Sequence, residues 1–367
     1  MKPYELFVVV QPGLIPFACQ ELEALGYQHL QLKDGGIFLT GHLSTLIRLN
    51  LVCRTVSRVL ITLGRFTATC FASLEHRLAA LPWQEYLTQQ SVCIHTVSYG
   101  SKLYHERAVS DRLLSTLSGL LGRPVTEIGS PDAPNTQLIV LHIKHDEVTV
   151  RLDSTGAHLH KRGYGLYKDT APLRSTVAAA LLLQTGWLTR HRHLHDPMCG
   201  SGTIVLEAAL LAVRTPHSAF RTFAFQAWKC FQPEIFTRLE TALLAARISH
   251  PEVDIKASDL SARAIAITQK NLALAGVDTL ISTQVKPVSE LVLDKKALVL
   301  TNPPWGKRLT NASTEAWLRP LQHAATRGHE VYILMPADRI TAPLHPYKEE
   351  LRLVIGGRDI ILLKLKG

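Results

Sequence analysis

The sequence predicts an α/β protein whose C-terminal half forms a parallel, doubly wound sheet. From His195 onward, apolar strands alternate with helices. The strands lie at 253–257, 297–301 and 330–335, and the helices at 203–213, 261–275 and 314–326. The chain then ends in two apolar runs, 351–355 and 360–365, around a Gly-containing turn, which predicts a terminal hairpin.

The first 155 residues alternate helices with strands and end in a hairpin, a pattern that indicates small α+β modules. Strands are predicted at 4–10, 29–39, 59–63, 91–98, 137–144 and 147–153, with helices near 15–25, 73–80 and 105–121. Residues 156–171 are basic and rich in turn formers, and we interpret them as a linker. A helix from Pro172 to Thr185 follows, with its proline in the first turn, where a missing N–H costs nothing.

Composition argues against a disordered or membrane-spanning chain. The 367 residues are 46% hydrophobic with a mean hydropathy of +0.09, enough for two or three domains with a sizeable core. No apolar stretch approaches the ~20 residues of a membrane span, and the N-terminus lacks the layout of a signal peptide. The six cysteines are scattered, so we expect reduced thiols and a cytoplasmic location.

The charge balance favours a polyanionic partner. The net charge is +10 and the pI is about 9.4, and Lys and Arg gain affinity for phosphates by releasing counterions. Charge alone does not decide the matter, since many basic proteins bind no nucleic acid. The alternating His191, His193 and His195 could suggest metal ligands on one strand face, but 17 histidines make such clusters expected, and we predict no metal site.

The first motif that indicates ligand binding is an Asp-Pro sequence followed by a glycine turn and an apolar helix. It consists of Asp196-Pro197-Met198-Cys199-Gly200-Ser201-Gly202-Thr203. Gly200 and Gly202 permit a tight turn and the close approach of a ligand, and the helix from Thr203 points its N–H groups at that ligand. Asp196 could hold the ligand's polar groups. The alternative is a structural glycine turn, because a lone G-x-G is a weak signal. We interpret Cys199 as a small residue that permits the turn rather than as a nucleophile.

A second carboxylate follows the next predicted strand. Asp259 and Leu260 come directly after Ala257-Ser258, and a carboxylate there can accept both ribose hydroxyls of a nucleoside cofactor. The competing interpretation is that Asp259 only caps the helix from Ala262. Its distance from Gly202 exceeds the ~20 residues of a dinucleotide fold, and we interpret the aromatic-rich residues 215–250 as an insertion.

The most informative motif is Asn302-Pro303-Pro304-Trp305, which follows an apolar strand. The prolines fix φ and hold the carbonyl groups rigidly. The Asn302 amide oxygen and the Pro303 carbonyl can accept the protons of an exocyclic amino group, while Trp305 can stack on a base that has left its helix. The alternative is an ordinary Pro-rich turn with a buried Trp. This pattern predicts methylation at the amino nitrogen of a nucleobase.

Taken together, these motifs resemble those of the THUMP-domain class I methyltransferases of the bacterial 23S rRNA guanine-N2 family, in particular the N-terminal half of fused large-subunit rRNA enzymes. Such sequences are often labelled N6-adenine-specific methylases. The resemblance spans nearly the whole chain, and a parallel sheet closed by a hairpin agrees with it. Its further residues are Arg162-Gly163-Tyr164, Ala171-Pro172-Leu173-Arg174, Ser258-Asp259 with Ala262-Arg263, Asn271, Gly276, and Gly306-Lys307-Arg308-Leu309. Trp305, Pro287 and Ser175 depart from the family pattern, where Tyr, Asp and Glu are usual.

The resemblance implies a domain order and a reaction. Residues 1–45 would be a ferredoxin-like region, 46–155 a THUMP RNA-binding domain, 156–171 the linker, and 172–367 a Rossmann-like methyltransferase domain. S-adenosylmethionine (SAM) would be the cofactor, and a guanine N2 in structured RNA, such as 23S rRNA in pre-50S particles, the acceptor. Adenine N6, or guanine N2 of tRNA, stays an alternative. The departures at Pro287 and Ser175 leave open a non-catalytic RNA-binding assembly factor.

Candidate RNA contacts lie in three stretches. The residues are Lys102, Tyr104 and Arg107 in the predicted THUMP domain; Arg162, Tyr164 and Arg174 around the linker; and Lys307 and Arg308 beside the Asn-Pro-Pro-Trp turn. Basic and aromatic residues together fit RNA, which presents phosphates and bases that can stack. For the first and third groups, ordinary surface residues are the competing interpretation. The sequence does not fix the oligomeric state.

Overall fold

A computed structural model describes residues 3–167, 173–293, 296–304, 311–340, 346–355 and 357–366. For residues 311–314 it describes the backbone only. The chain divides into two compact units. Unit 1 comprises residues 1–10, 22–161 and 221–242, and unit 2 comprises residues 11–21, 162–220 and 243–367. Within the described residues, no helix is both long and apolar enough to cross a membrane.

Unit 1 is built on a single seven-stranded sheet with the order β2-β3-β1-β4-β7-β6-β5. Its strands are β1 (Tyr4–Val10), β2 (Gln31–Lys33), β3 (Gly36–Gly41), β4 (Val56–Thr67), β5 (Ser91–Tyr99), β6 (Thr136–Lys144) and β7 (Glu147–Asp153). The helices before and between them are α1 (Ile15–Ala24), which carries residues of both units, α2 (Leu43–Val52), α3 (Phe71–Ala79), α4 (Trp83–Tyr86) and α5 (Glu106–Leu121). Strands β5 and β6 are parallel, and the other neighbours are antiparallel.

The sequence predicted separate small α+β modules in this region, but the long strand β4 joins their strands into one sheet. Predicted only over 59–63, it runs for 12 residues and pairs with β1 on one side and β7 on the other. The predicted strand at 29–39 is instead the hairpin β2–β3, which turns at Gly35 with a positive φ of 78°. Both differences arise from polar residues in these strands, which interrupt the apolar pattern.

Unit 2 has the predicted doubly wound sheet, in the order β10-β9-β8-β11-β12-β14-β13. Its strands are β8 (His193–Asp196), β9 (Asp254–Asp259), β10 (Ile281–Val285), β11 (Leu298–Thr301), β12 (Glu330–Pro336), β13 (Tyr347–Ile355) and β14 (Arg358–Leu365). The helices are α6 (Ser175–Gln184), α7 (Thr203–Val213), α8 (Pro233–Ala245), which carries residues of both units, α9 (Ala262–Ala275) and α10 (Asn311–Thr326).

The first five strands in this order are parallel, and β14 pairs antiparallel with both β12 and β13. This is the class I methyltransferase arrangement, and it confirms the predicted fold class and terminal hairpin. Helix α6 begins at Ser175 with Arg174 as its N-cap, three residues later than predicted. The edge strand β10 was not predicted, because only Ile281 of its five residues is buried and no apolar run marks it.

The unusual polarity of β8 has a structural cause. Among the described residues linking β10 to β11, only the short turn at Val288–Glu290 is helical, so this crossover supplies no full helix to the sheet. A cleft of about 270 Å³ lies there, lined by His193, Leu194, His195, Asp254, Lys256, Leu293 and Ala297. His195 Nε2 lies 2.9 Å from Ser258 Oγ, and burial, reinforced by Lys256 and Lys286, lowers its pKa to about 4. The histidine is therefore a neutral core residue.

Candidate active site

The site lies at the carboxyl ends of β8, β9 and β11, which are neighbouring parallel strands. Asp196 ends β8, Asp259 ends β9 and Thr301 ends β11, so the sheet brings three separate motifs to one edge. After β8 the chain continues to β9 on one side, and it later forms β11 on the other side of β8. This reversal of strand order creates the crevice where such sheets bind ligands.

The glycine turn after β8 packs against Thr268 of α9 and is hydrogen-bonded to it. Gly202 has a φ of 82°, and a Cβ atom there would lie 2.8 Å from the side chain of Thr268. Thr268 Oγ1 donates a hydrogen bond of 2.9 Å to the carbonyl of Gly200, whose own φ is 56°. A Cβ on Gly200 would meet no heavy atom within 4 Å, so this part of the turn borders open space. Helix α7 begins directly after, at Thr203.

Cys199 lies within this turn and is 7% exposed. Burial, together with the carboxylates of Asp196 and Asp259, raises the pKa of its thiol well above the usual value. A thiol that stays protonated is a poor nucleophile, in agreement with the small-residue role predicted for it. Met198, the residue before it, packs against the hydrophobic cluster around α10.

Asp259 is bound to the glycine turn rather than capping α9. Its Oδ2 accepts a hydrogen bond of 3.0 Å from the Gly200 amide, and its Oδ1 accepts one of 2.9 Å from the Ser261 amide. The N-cap of α9 is Ser261, whose hydroxyl accepts from the Ala264 amide. Leu260, beside the carboxylate, is 75% exposed and offers an apolar surface at the same strand end.

Asp196 is the more deeply buried carboxylate, with 2% of its surface exposed. Its Oδ1 accepts hydrogen bonds from Thr301 Oγ1 at 2.7 Å and from the Met198 amide at 3.2 Å. Burial raises its pKa to about 7, against the opposing effect of those two donors and reinforced by Asp259. Within the described residues Oδ2 carries no hydrogen bond, so this oxygen is free for a ligand.

The Asn-Pro-Pro turn continues directly from β11. Asn302 is partly buried and Pro303 fully buried, whereas Pro304 is exposed. The Asn302 Oδ1 atom is buried and accepts no hydrogen bond from any described residue. A buried carbonyl oxygen without a donor costs free energy, so this oxygen is available to a hydrogen-bond donor from a ligand or water. Trp305, Lys307 and Arg308 lie outside the described residues.

Asn271 on α9 also serves this site, and the sequence marked it only through the resemblance. It is 1% exposed, and its Nδ2 donates to the carbonyls of Ser201, at 3.1 Å, and Tyr167, at 2.9 Å. Its Oδ1 accepts from the Tyr167 amide. The amide therefore links the glycine turn to the segment before α6. A buried Asn among the apolar positions of a helix was the available signal.

The candidate RNA contacts differ sharply in exposure. Lys102, Tyr104 and Arg107 of unit 1 are exposed, and the Tyr104 and His105 rings lie 4.2 Å apart. Arg107 forms ion pairs with Asp111 and Glu127. These side chains are open to a partner.

In unit 2, Arg174 is exposed, but Arg162 and Tyr164 are not: they are 1% and 7% exposed. Arg162 Nε lies 3.0 Å from Glu207 Oε1, and the Tyr164 hydroxyl donates to the same oxygen at 2.5 Å. The prediction that Arg162 and Tyr164 contact RNA is therefore wrong, because both side chains are buried. Both side chains are used inside the domain, because a buried Glu207 requires donors.

Comparison with known proteins agrees with this geometry. Residues 162–328 match a family model described as "RMKL-like, methyltransferase domain". This part of the chain is therefore similar to RMKL-like methyltransferase domains. Residues 5–60 match the model of the RlmL ferredoxin-like domain.

Three of the proteins that resemble this chain match it over most of its length. A Syntrophotalea carbinolica protein named ribosomal RNA large subunit methyltransferase K/L is 32% identical over 84% of this chain. The match covers 45% of that relative, so the chain spans less than half its length. A Bacillus subtilis protein named putative RNA methyltransferase YpsC is 28% identical over 84% of this chain and 81% of its own. A Listeria monocytogenes structure, described as a predicted N6-adenine-specific DNA methylase, superposes with a TM-score of 0.84 at 29% identity, covering 99% of this chain and 96% of the other.

SAM is the cofactor, and the residues at the strand ends fit it. SAM carries a ribose diol, an ammonium group and a sulfonium, which call for acceptors of hydrogen bonds and negative charge. Asp196 and Asp259 supply carboxylates, the Gly200 turn borders open space, and Leu260 presents an apolar surface. These are residues predicted for the cofactor, and the fold places them together. The described residues contain no group of three side chains that could hold a metal ion.

Proposed function

We propose that this chain transfers the methyl group of SAM to the exocyclic N2 of a guanine in RNA, with 23S rRNA as the substrate. The observation that carries the proposal is the Asn302 Oδ1 atom, a buried acceptor with no donor among the described residues. It follows β11 at the edge where Asp196 and Asp259 lie, so an amino group bound there would face the cofactor-binding turn. The names of the relatives support RNA as the acceptor.

The chemistry asked of the protein is positioning and polarisation. SAM supplies an electrophilic methyl group when bound. The Asn302 Oδ1 and the Pro303 carbonyl would each accept an N–H of the target amino group, which withdraws its lone pair from conjugation and aims it at the site. The fixed φ of proline keeps the Pro303 carbonyl from turning away. Trp305 would stack on the base, and the amino proton would be lost to solvent.

RNA binding is assigned to a different part of the chain. In this proposal, residues 46–155 form a THUMP domain after a ferredoxin-like region at 1–45, and residues 172–367 form the catalytic domain after a linker at 156–171. Lys102, Tyr104 and Arg107 are exposed and provide positive charge and an aromatic ring for RNA, which in this proposal is presented within pre-50S particles. Arg174, Lys307 and Arg308 would bind phosphates near the target base.

The test compares Asn302→Ala with Asn302→Asp. The Ala variant lacks the acceptor and should lose about 100-fold or more in kcat, while the affinities for SAM and RNA stay within about twofold. The Asp variant retains an acceptor oxygen and should keep part of the activity. Equal activity of Asn302→Ala and the wild type would refute the role of Asn302.

The acceptor is identified by digesting methylated RNA and analysing the nucleosides by mass spectrometry. N2-methylguanosine in 23S rRNA is the expected product. If the product is N6-methyladenosine, the target base is adenine and not guanine, as the description of the Listeria structure suggests for that protein. If only tRNA is methylated, the substrate is tRNA and not 23S rRNA. If calorimetry detects no binding of SAM, the catalytic proposal fails and a non-catalytic RNA-binding assembly role replaces it.

A further inference from the structure

We propose that Thr301 is a positioning residue that couples the cofactor carboxylate, Asp196, to the Asn-Pro-Pro turn. The inference rests on the proposed function for its catalytic consequence, but not for its structural one. Thr301 has no part in the sequence motifs. It is the last residue of β11 and the residue directly before Asn302.

The contact itself is short and shielded from water. Thr301 Oγ1 donates to Asp196 Oδ1 at 2.7 Å, and the two residues are 0% and 2% exposed. Strands β8 and β11 are parallel neighbours, with Leu298 opposite Leu194 and Val299 opposite His195. The hydrogen bond therefore joins the last residues of adjacent strands, at the point where the backbone ladder ends and each strand becomes a loop.

A threonine transmits this contact to the backbone more firmly than most residues could. Its β-branched side chain has few allowed χ1 rotamers, so a fixed hydroxyl also fixes the main chain that carries it. Asn302 follows immediately, and Pro303 restricts the next φ. The carboxylate of β8 therefore determines the direction in which the Asn302 acceptor leaves the strand.

The same hydroxyl acts on the carboxylate. Two donors favour the ionised form of Asp196, namely Thr301 and the Met198 amide, whereas burial and the Asp259 carboxylate oppose it. The other titratable group beside it, the Cys199 thiol, stays protonated because its pKa is raised. Removing the hydroxyl should raise the pKa of Asp196 further, and a larger fraction of the carboxyl groups would then be neutral at pH 7. A neutral carboxyl attracts the ammonium group of the cofactor less strongly.

The test uses two Thr→Val substitutions that remove the same atom. Thr301→Val removes the bonded hydroxyl and keeps a β-branched shape. Thr176→Val is the matched control, because Thr176 is 1% exposed and its hydroxyl has no hydrogen-bond partner among the described residues. Thr301→Ser restores the donor without the methyl group.

Two measurements need no methyl transfer. The first follows the Asp196 side-chain carboxyl by ¹³C NMR as a function of pH in the cofactor-free protein. The second determines the affinity for S-adenosylhomocysteine by calorimetry from about pH 6 to about pH 8.5. This range brackets the Asp196 pKa of about 7. In Thr301→Val the carboxyl should titrate at higher pH, and the affinity at pH 7 should fall about tenfold. Thr176→Val should match the wild type, and Thr301→Ser should recover most of the loss.

The kinetic readout separates positioning from folding. Thr301→Val should lower kcat for RNA methylation and raise KM for SAM, with KM for RNA unchanged. The proposal is overturned if Thr301→Val titrates and binds like Thr176→Val, or if it only lowers the unfolding temperature. If the wild type shows the expected titration and affinity but methylates no RNA, the proposed function fails while the coupling between Thr301 and Asp196 stands.

Discussion

The buried pair between Arg162 and Glu207 gives the sharpest test of which basic residues belong to the interior. Both side chains are fully inaccessible, and Arg162 Nη2 lies 3.2 Å from Glu207 Oε2 in addition to the Nε contact. Burial disfavours the guanidinium charge, but Glu207 and Tyr164 outweigh it and raise the pKa of Arg162 above its usual value. The guanidinium therefore stays charged, and the buried pair depends on both partners.

Arg162→Met should lower the free energy of unfolding by about 3–5 kcal/mol, because it leaves the Glu207 carboxylate buried without its cation. Adding Glu207→Gln to that variant should recover part of the loss, since a neutral amide is cheaper to bury and can still accept from Tyr164. Urea denaturation of the wild type, both single variants and the double variant measures the coupling.

Arg174→Met is the matched control for RNA binding. Arg174 is exposed, so its loss should change the free energy of unfolding by no more than about 0.5 kcal/mol. If it contacts a phosphate, it should reduce the slope of log K against log salt by about 0.7–0.9. Arg162→Met should leave that slope unchanged in protein that is still folded. A normal unfolding free energy combined with a reduced slope in Arg162→Met would refute the interior role and restore the original RNA assignment.

Three further outcomes follow from the site and the sheet. Asn271→Asp exchanges the amide donor for an oxygen while preserving size, and calorimetry should show weaker binding of S-adenosylhomocysteine by about tenfold, because two partly buried hydrogen bonds are lost. Gly202→Ala should unfold at markedly lower temperature, since its Cβ would lie 2.8 Å from a neighbouring side chain, whereas Gly200→Ala should cost only about 1–2 kcal/mol and mainly weaken cofactor binding. Burial lowers the pKa of His195 to about 4, so the stability it contributes is complete above the unfolded pKa of about 6.5 and is lost as the pH falls toward 4. His195→Gln should therefore flatten the pH dependence of urea denaturation between those values, and an unchanged slope would show that the ring binds its proton equally in the folded and unfolded states.

The sequence predicted the sheet of unit 2 because buried parallel strands leave long apolar runs. Strands β9, β11 and β12 each lay within about two residues of their predicted bounds. Strand β10 was missed because an edge strand can be polar. The polar sequence of β8 could be explained only once the structure showed that His193 and His195 line a cleft.

The site was predictable where backbone geometry demands particular residues. The Gly200–Gly202 turn and the Asn-Pro-Pro sequence could be recognised from residue types alone, and Asp196 and Asp259 from their position after a strand. Thr301 could not, because its role depends on a partner 105 positions away in the chain. Arg162 was misplaced for a related reason: a basic residue in a turn-rich stretch resembles a surface residue until its buried carboxylate is known.

The shared sheet of unit 1 sets the order in which that part of the chain can fold. Strand β1 pairs with residues 56–61 of β4, and β4 in turn pairs with residues 147–153 of β7. The paired residues of β1 and β4 are 46 to 55 positions apart in the chain, and β4 gains its second neighbour later still. Pairings this distant close slowly, because the loop entropy is lost before the contacts are formed. A nascent chain ending near residue 60 would expose an open edge of β4, and such an edge can pair with other chains.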